Sequence, residues 1–206
     1  MIQIDFFTEE ESARIVLYNI LPLILPTDVC FEVYSFNGRG DLLKKLPSRL
    51  RAYRHDPLKS NKVVILMDRD SHNCRDVKSQ LELIVEQSGL TSKRVNSDEF
   101  QVVTRVVIEE LEAWFFGDIA ALNQGYPSIP ITLAQKRGMQ VADEISDPAG
   151  RLLRLLKKEY SDITKLPKLE VAQKVSSCMN PHMNTSQSFN AFIDGVMACC
   201  ECSKCP

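Results

Sequence analysis

A short, almost entirely apolar run from Lys62 to Met67 (KVVILM) limits the folds open to this chain. A strand that is apolar on both sides is typical of a parallel sheet covered on both faces. The chain has three other strand-like runs, over residues 2–8, 29–36 and 101–107. A segment with helical spacing follows each of these four runs. The helical segments are residues 10–25, 42–53, 74–87 and 109–123. This alternation predicts an α/β fold, a Rossmann-like parallel sheet of about four strands with helices on both faces.

The second half of the chain has a different pattern. From Leu133 onward, helical spacing continues without a convincing strand, and prolines interrupt it. We therefore expect an α/β core over residues 1–125, a C-terminal helical extension packed on that core over 126–198, and a cysteine-rich tail over 199–206. Pro47 lies near the middle of the second helical segment, and we expect it to kink or break that helix.

Composition and charge exclude several classes of protein. Hydrophobic residues make up 44% and charged residues 25% of the 206 residues, as in a soluble globular domain and unlike a disordered or fibrous chain. No stretch approaches the ~20 apolar residues of a membrane span, and the N-terminus lacks the basic region of a signal peptide. Seven cysteines, an odd number, argue against a disulfide framework. We expect a cytoplasmic protein that does not associate with membranes.

Acidic residues follow three of the four predicted strands. Glu9 follows the first strand, Asp68 and Asp70 follow the third, and Glu112 follows the fourth. Ligands of parallel sheets bind at the carboxyl ends of the strands, and residues two apart on a strand point to the same side. Such carboxylates suit Mg²⁺ or Mn²⁺, which prefer oxygen ligands. Alternatively they are turn or first-turn acids, and helical spacing over residues 108–115 predicts that Glu112 lies off the buried face.

A basic segment lies between residues 38 and 62. Eight basic and two acidic residues give it a local charge of +6 in a chain whose net charge is −2. Such a patch can hold a phosphodiester backbone without reading its sequence. The candidate phosphate contacts are Arg39, Lys44, Lys45 and Arg49. An ordinary solvated helix face is the alternative, and few aromatic residues lie among the charges to stack on bases.

Three cysteines near the C-terminus have a spacing that zinc ligands often show. Cys199, Cys202 and Cys205 are separated by two residues each, and Cys178 or His182 could complete a tetrahedral set. The alternative is a terminal segment that frays and holds no metal. The sequence leaves both interpretations open.

Five short motifs, taken in order, resemble one group of proteins. They are Glu9-Glu10-x-Ser12, residues 38–43 (GRGDLL), Asp68-Arg69-Asp70-Ser71 with Cys74 and Lys78, residues 110–114 (ELEAW), and Asn184-x-Ser186-x-Ser188-Phe189-x-x-Phe192. The chain resembles the TOPRIM fold, the metal-binding domain of topoisomerases, primases and OLD-family nucleases. It is more similar still to a bacterial TOPRIM-related family of unknown function, which is often encoded beside ATPases in phage-defence loci.

The resemblance implies a TOPRIM-like, Mg²⁺-dependent nuclease that acts on DNA or RNA and has an ATPase as its partner. Glu9, Asp68 and Asp70 would hold the metal. Glu112 would be a further ligand or a base that orients water, and Lys78 would join the basic residues at the phosphate groups.

One position departs from the TOPRIM pattern, because Glu10 stands where these domains usually have glycine. Two other hypotheses remain open. The Asp68-Arg69-Asp70-Ser71 motif after an apolar strand also resembles the start of a haloacid-dehalogenase motif, in which Asp68 would be the nucleophile of a phosphatase. In the other hypothesis the acids are structural, and the chain is a non-catalytic module that binds a partner.

Overall fold

The computed structural model describes residues 2–55, 61–158 and 160–201. Its strands form one parallel sheet in the order β2-β1-β3-β4. The strands are β1 (Ile2–Thr8), β2 (Val29–Ser35), β3 (Asn61–Asp68) and β4 (Val102–Val107). The α/β class and the parallel sheet predicted from the sequence are confirmed.

Helices connect the strands and continue after the last one. They are α1 (Glu11–Ile20), α2 (Arg39–Arg51), α3 (Cys74–Gln87), α4 (Glu112–Phe116), α5 (Ile119–Gly125), α6 (Pro148–Leu156), α7 (Lys168–Ser176) and α8 (Gln187–Glu201). Helix α3 has the bounds that the sequence predicted, and the Asn73 side chain caps it by accepting a hydrogen bond from the N–H of Arg75 (2.8 Å). Among the described helices, none has both the length and the apolar character that crossing a bilayer requires.

Alternate residues of β3 face opposite layers of helices. Val64 and Leu66 pack in the larger hydrophobic cluster, with residues of α1, α4, α7 and α8. Val63, Ile65 and Met67 pack in the second cluster, with α2 and α3. Burial of each such side chain contributes about 1.5–3 kcal/mol to folding. The continuous apolar run thus corresponds to a strand covered on both faces, as predicted.

Pro47 does not break the second helix, so the prediction of a break there is wrong. Helix α2 continues through it to Arg51, although proline removes one N–H from the helical hydrogen bonds. Leu42, Leu46 and Leu50 lie on one side of α2 and are fully buried. The packing of this apolar stripe outweighs the local cost of the proline, as tertiary contacts commonly do for helices.

The single helix predicted over residues 109–123 is wrong as well, because the segment forms two short helices. Glu109 has a φ of 61°, which no helix residue has, and α4 begins only at Glu112. Gly117 and Asp118 then separate α4 from α5, and the Asp118 carboxylate caps α5 by accepting from the N–H of Ala121 (3.0 Å). The acidic residues after β4 therefore lie in a loop and a short first turn.

The helical extension shares its core with the sheet. Helix α7 packs on α1, and α8 packs on β4. Trp114 Nε1 donates to Ser188 Oγ (3.0 Å), and the Asp143 carboxylate accepts from the N–H of Ser188 and from Ser186 Oγ. Ser186 Oγ also accepts from the N–H of Phe189 (3.1 Å). The serines of the last sequence motif therefore have a structural role, because they cap α8 and fix it to the tryptophan.

Candidate metal centre

The carboxyl ends of β1 and β3 lie side by side in the middle of the sheet. Strand β2 lies on one side of β1 and β3 on the other, so the strand order reverses between β1 and β3. Ligands of open α/β sheets bind at this reversal, beyond the carboxyl ends of the strands. Glu9 follows β1 directly, and Asp68 is the last residue of β3. Two acids predicted from the sequence therefore flank the ligand position that the topology favours.

Backbone donors hold these two carboxylates at the same edge. The N–H of Arg39, at the start of α2, donates to Glu9 Oε1 (3.0 Å). The N–H of Leu111, which precedes α4, donates to Asp68 Oδ2 (3.4 Å). Arg39 Nη1 also donates to the carbonyl oxygen of Asp68 (3.3 Å), so one arginine bridges the two strand ends. The N-terminus of α2 favours an anion, which stabilises the charged form of Glu9.

Four carboxylates form one electrostatic group, which we call the acidic cluster. They are Glu9, Asp68, Asp70 and Glu112. Burial raises the pKa of Asp68 well above its usual range, and the charges of Glu112, Glu9 and Asp70 raise it further. Burial also raises the pKa of Glu9, and the charge of Asp70 adds to that effect. The four acids that the sequence placed at three separate strand ends therefore lie near enough for the charges of the other three to act on Asp68.

Glu112 is buried, contrary to the sequence-based prediction that it lies off the buried face. It is 2% exposed, because all five residues of the short helix α4 are buried and the helix has no face toward solvent. Burial raises the pKa of Glu112 to about 7, although the charge of Lys168 opposes the increase. Its Oε2 has no hydrogen-bond partner among the described residues. Buried groups with shifted pKa values of this kind are concentrated at functional sites.

Lys168 is a site residue that the sequence analysis missed. It begins α7 in the helical extension, and its Nζ lies 3.2 Å from Glu10 Oε2. Burial alone would lower the pKa of Lys168, but the charges of Glu112, Glu10 and Asp68 raise it above its usual value. One signal was present in the sequence. Lysine is unfavourable in the first turn of a helix, so its place directly after Pro167 needed a separate reason.

The carboxylate oxygens of the cluster are the kind of ligand that a hard divalent cation prefers. Oε2 of Glu9 and Oε2 of Glu112 are buried without a partner among the described residues, and neighbouring carboxylates repel one another unless a proton or a cation lies between them. In the described part of the chain, no three Asp, Glu, His or Cys side chains stand in a ready coordination geometry. The carboxylates would have to close around an ion. Mg²⁺ is commonly held by one or two carboxylates with water and phosphate oxygens, so a preformed cage is not required.

A cleft of about 370 Å³ opens at Glu10 and Lys168, and the four acids of the cluster are not among its lining residues. Glu10 and Ser12 line it from the start of α1, Gly38 from the start of α2, and Lys168 from α7. Gly38 has a φ of 84°, which other residues rarely adopt, and its N–H donates to the carbonyl oxygen of Glu9 (3.0 Å). The volume is at the small end of the range for ligand pockets. A small ligand group can enter here, next to Glu10 and Lys168.

The predicted phosphate contacts lie at different distances from the cluster. Arg39 touches it directly through the bonds to Glu9 and Asp68. Lys44, Lys45 and Arg49 are exposed along α2, about 8–15 Å farther along the helix axis at 1.5 Å per residue. Lys45 Nζ pairs with Asp41 at 2.8 Å, an exposed pair of small energetic value. A row of cations therefore leads away from the acidic cluster along α2.

The structure does not bring Lys78 to this edge of the sheet. Its Nζ contacts the carbonyl and hydroxyl oxygens of Thr104, three residues before the end of β4, and pairs with Glu82 (3.4 Å). Burial lowers the pKa of Lys78, and Glu82 partly compensates. The ammonium group therefore links α3 to β4, and its assignment as a phosphate contact needs correction.

The structure describes one of the three proposed zinc ligands, Cys199. Cys199 is fully buried in α8 rather than in a tail, and its thiol donates to the carbonyl oxygen of Gly195 (3.4 Å). Cys202 and Cys205 lie outside the described residues. The zinc site thus remains a prediction from spacing. Cys199, the ligand that the structure describes, is buried and takes part in the packing of α8.

One comparison with known proteins assigns the family of this chain. A profile described as a domain of unknown function, DUF4276, matches residues 8–197. The chain belongs to this family. The match extends from the end of β1 to α8, so it includes all four acids of the cluster and Lys168. Neither the curated proteins nor the solved structures compared with this DUF4276 protein contain a match.

Proposed function

We propose that this protein is a divalent-metal-dependent nuclease that hydrolyses phosphodiester bonds in DNA or RNA. The observation that carries the proposal is the convergence of acids from three distant segments into one cluster, at the point where the strand order reverses. Solvated turn acids need not converge. They would also not include a carboxylate as buried as Glu112, with one oxygen that lacks a partner among the described residues.

The residues of the cluster have distinct roles in this proposal. Glu9, Asp68 and Asp70 would hold Mg²⁺ or Mn²⁺, which polarises the phosphodiester and lowers the pKa of a bound water. Glu112, with a pKa of about 7, can accept and return a proton near neutral pH, as a general base must. Lys168 reduces the negative charge of the cluster, which lets a phosphate anion approach it.

The cations of α2 would hold the nucleic acid. Arg39 lies at the cluster, and the exposed side chains of Lys44, Lys45 and Arg49 continue along the helix. Successive phosphates of a nucleic-acid strand can pair with such a row, and these contacts position the backbone without reading bases. The arrangement therefore supports cleavage with little sequence preference.

The family resemblance supplies the rest of the proposal. Glu9 follows β1, Asp68 ends β3 and Asp70 comes two residues later, which are the positions that TOPRIM domains use for metal ligands. We therefore propose a TOPRIM relation for this DUF4276 protein. We also propose that it is the cytoplasmic effector subunit of an ATPase-associated anti-phage system.

Cleavage assays with matched variants test the nuclease proposal. The full chain is incubated with single-stranded DNA, duplex DNA and RNA in Mg²⁺ or Mn²⁺, and compared with Asp68→Asn and with Asp162→Asn, an exposed acid of the extension. We expect cleavage by the wild type and by Asp162→Asn, and its loss in Asp68→Asn. Equal cleavage by the wild type and Asp68→Asn would contradict the proposal.

The same preparations separate the two alternative hypotheses. A covalent phosphate trapped on Asp68 after incubation with an aryl phosphate would indicate phosphatase chemistry. Retained binding to an ATPase by an Asp68→Asn/Asp70→Asn variant, with normal function in the cell, would indicate a non-catalytic module. The nuclease proposal predicts that neither result is obtained.

A further inference from the structure

Strands β3 and β4 stay connected for two residues beyond their ends. The N–H of Arg69 donates to the carbonyl oxygen of Val107 (2.9 Å), and the N–H of Asp70 donates to that of Glu109 (2.8 Å). Asp70 has a φ of 50° and Glu109 a φ of 61°. Residues with a side chain rarely adopt this left-handed conformation, and it persists where surrounding contacts enforce it. Here one such residue donates a hydrogen bond to the other.

The side chains of the same two segments form an ion pair. Arg69 Nη2 contacts Glu109 Oε1, and both side chains are about three-quarters buried, with exposures of 27% and 24%. Arg69 stands between Asp68 and Asp70 in sequence. Because its side chain pairs with Glu109, just after β4, the backbone positions of both aspartates are constrained. Asp70 lies close enough to Glu9 and Asp68 for its charge to act on both.

We propose that Arg69 and Glu109 form a positioning pair that holds the Asp70 carboxylate in the acidic cluster and thereby sets the affinity for a divalent cation. The inference rests on the proposed function, because it assumes that the cluster binds such an ion. Neither residue of the pair would touch the ion or the substrate. Without the ion pair, the left-handed backbone at Asp70 and Glu109 would lose a contact that enforces it, and the Asp70 carboxylate would move away from Glu9.

A double-mutant cycle measured as Mn²⁺ affinity tests the pair. We expect Glu109→Gln and Arg69→Gln each to weaken Mn²⁺ binding to the full chain about 10–100-fold, the usual effect of removing a residue that orients metal ligands. The double variant should bind no more weakly than either single variant, since the two residues act through one contact. Isothermal titration gives the affinities, and thermal unfolding without metal shows whether each variant is folded.

The chain offers a matched control on the extension. Asp147 also has a left-handed backbone, with a φ of 51°, and pairs with Arg154 at 3.3 Å. Arg154→Gln therefore removes an Arg–acid pair next to a left-handed acid outside the cluster. We expect the Mn²⁺ affinity of Arg154→Gln to match that of the wild type. An equal loss in this variant would show a general effect on folding and overturn the inference.

A measurement without metal separates the possible failures. The amide hydrogens of Arg69 and Asp70 should exchange slowly in the wild type and faster in Glu109→Gln, because these two N–H groups extend the pairing of β3 with β4. Unchanged exchange and unchanged Mn²⁺ affinity in folded Glu109→Gln and Arg69→Gln would overturn the inference and leave the proposed function standing. A wild type that binds no Mn²⁺, with exchange as expected, would instead overturn the proposed function.

Discussion

The ammonium group of Lys168 lies 3.2 Å from Glu10 Oε2, although 158 residues separate them in the chain. This contact joins the start of α7 to the start of α1, at the edge of the sheet where the acidic cluster lies. Glu110 makes a second link, since its Oε2 accepts from the N–H of Ala149 in α6 (3.1 Å). The helical extension therefore forms part of the wall of the candidate site.

Removal of the Lys168 charge should raise the pKa of Glu112. Burial has already brought this pKa to about 7, and the charge of Lys168 keeps it from rising further. In Lys168→Met we expect a pKa of Glu112 above 7, measured by carboxyl ¹³C NMR over a pH series. Lys174→Met is the control, because Lys174 is exposed on the same helix and pairs with Glu170. A pKa of Glu112 that is unchanged in Lys168→Met would contradict the electrostatic role of this lysine.

Without bound metal, the protein should lose stability as the pH rises through the titration of Glu112. The folded chain binds this proton more tightly than the unfolded chain, because burial raises the pKa from 4.5 to about 7. The contribution of this proton to the free energy of unfolding is therefore complete below about pH 4.5. It amounts to about 3 kcal/mol and is lost by about pH 7. Urea unfolding in a chelator should show a smaller decline for Glu112→Gln than for the wild type. Identical pH profiles would show that Glu112 does not titrate in this way.

The sequence was sufficient for the sheet, because each strand is defined by side chains within its own few residues. The run from Lys62 to Met67 is apolar on both sides, and the structure buries both sides. The sequence was insufficient where contacts between residues far apart in the chain decide the local backbone conformation. Helix α2 continues through Pro47 because three buried leucines hold it, and Glu109 adopts a left-handed backbone beside β3 that helical spacing cannot reveal.

The candidate site could be predicted only as far as strand ends define it. Glu9, Asp68 and Asp70 were found because parallel strands bring their carboxyl ends to one edge. Glu112 is buried because α4 is covered on every side, which the spacing of apolar residues within the segment cannot reveal. Lys168 reaches the cluster through the packing of α7 on α1, and its unfavourable place in the first turn of a helix indicated only that it needed a partner, not which one.

Gly117→Ala should destabilise the fold through the turn between α4 and α5. A Cβ at this position would lie 2.9 Å from the backbone nitrogen of Ser186 and press on the side chain of Asn184. Such overpacking costs about 1–3 kcal/mol, measured as the free energy of unfolding in urea. Gly40→Ala in α2 is the control, since a Cβ there meets nothing within 4 Å and alanine favours the helix by up to about 1 kcal/mol. A neutral Gly117→Ala would show that Asn184 and Ser186 can move apart.

Neutralising the exposed cations of α2 should weaken nucleic-acid binding and reduce its dependence on salt. In the triple variant Lys44→Gln/Lys45→Gln/Arg49→Gln, each lost phosphate contact should lower the slope of log affinity against log salt by about 0.9 on duplex DNA. The control variant, Lys136→Gln/Arg137→Gln/Lys157→Gln, has the same change in net charge at exposed positions of the extension. Fluorescence anisotropy over a salt series measures both slopes. If the two variants lose affinity and slope equally, the cations of α2 act only through the overall charge of the protein, and the row along this helix is not the nucleic-acid interface.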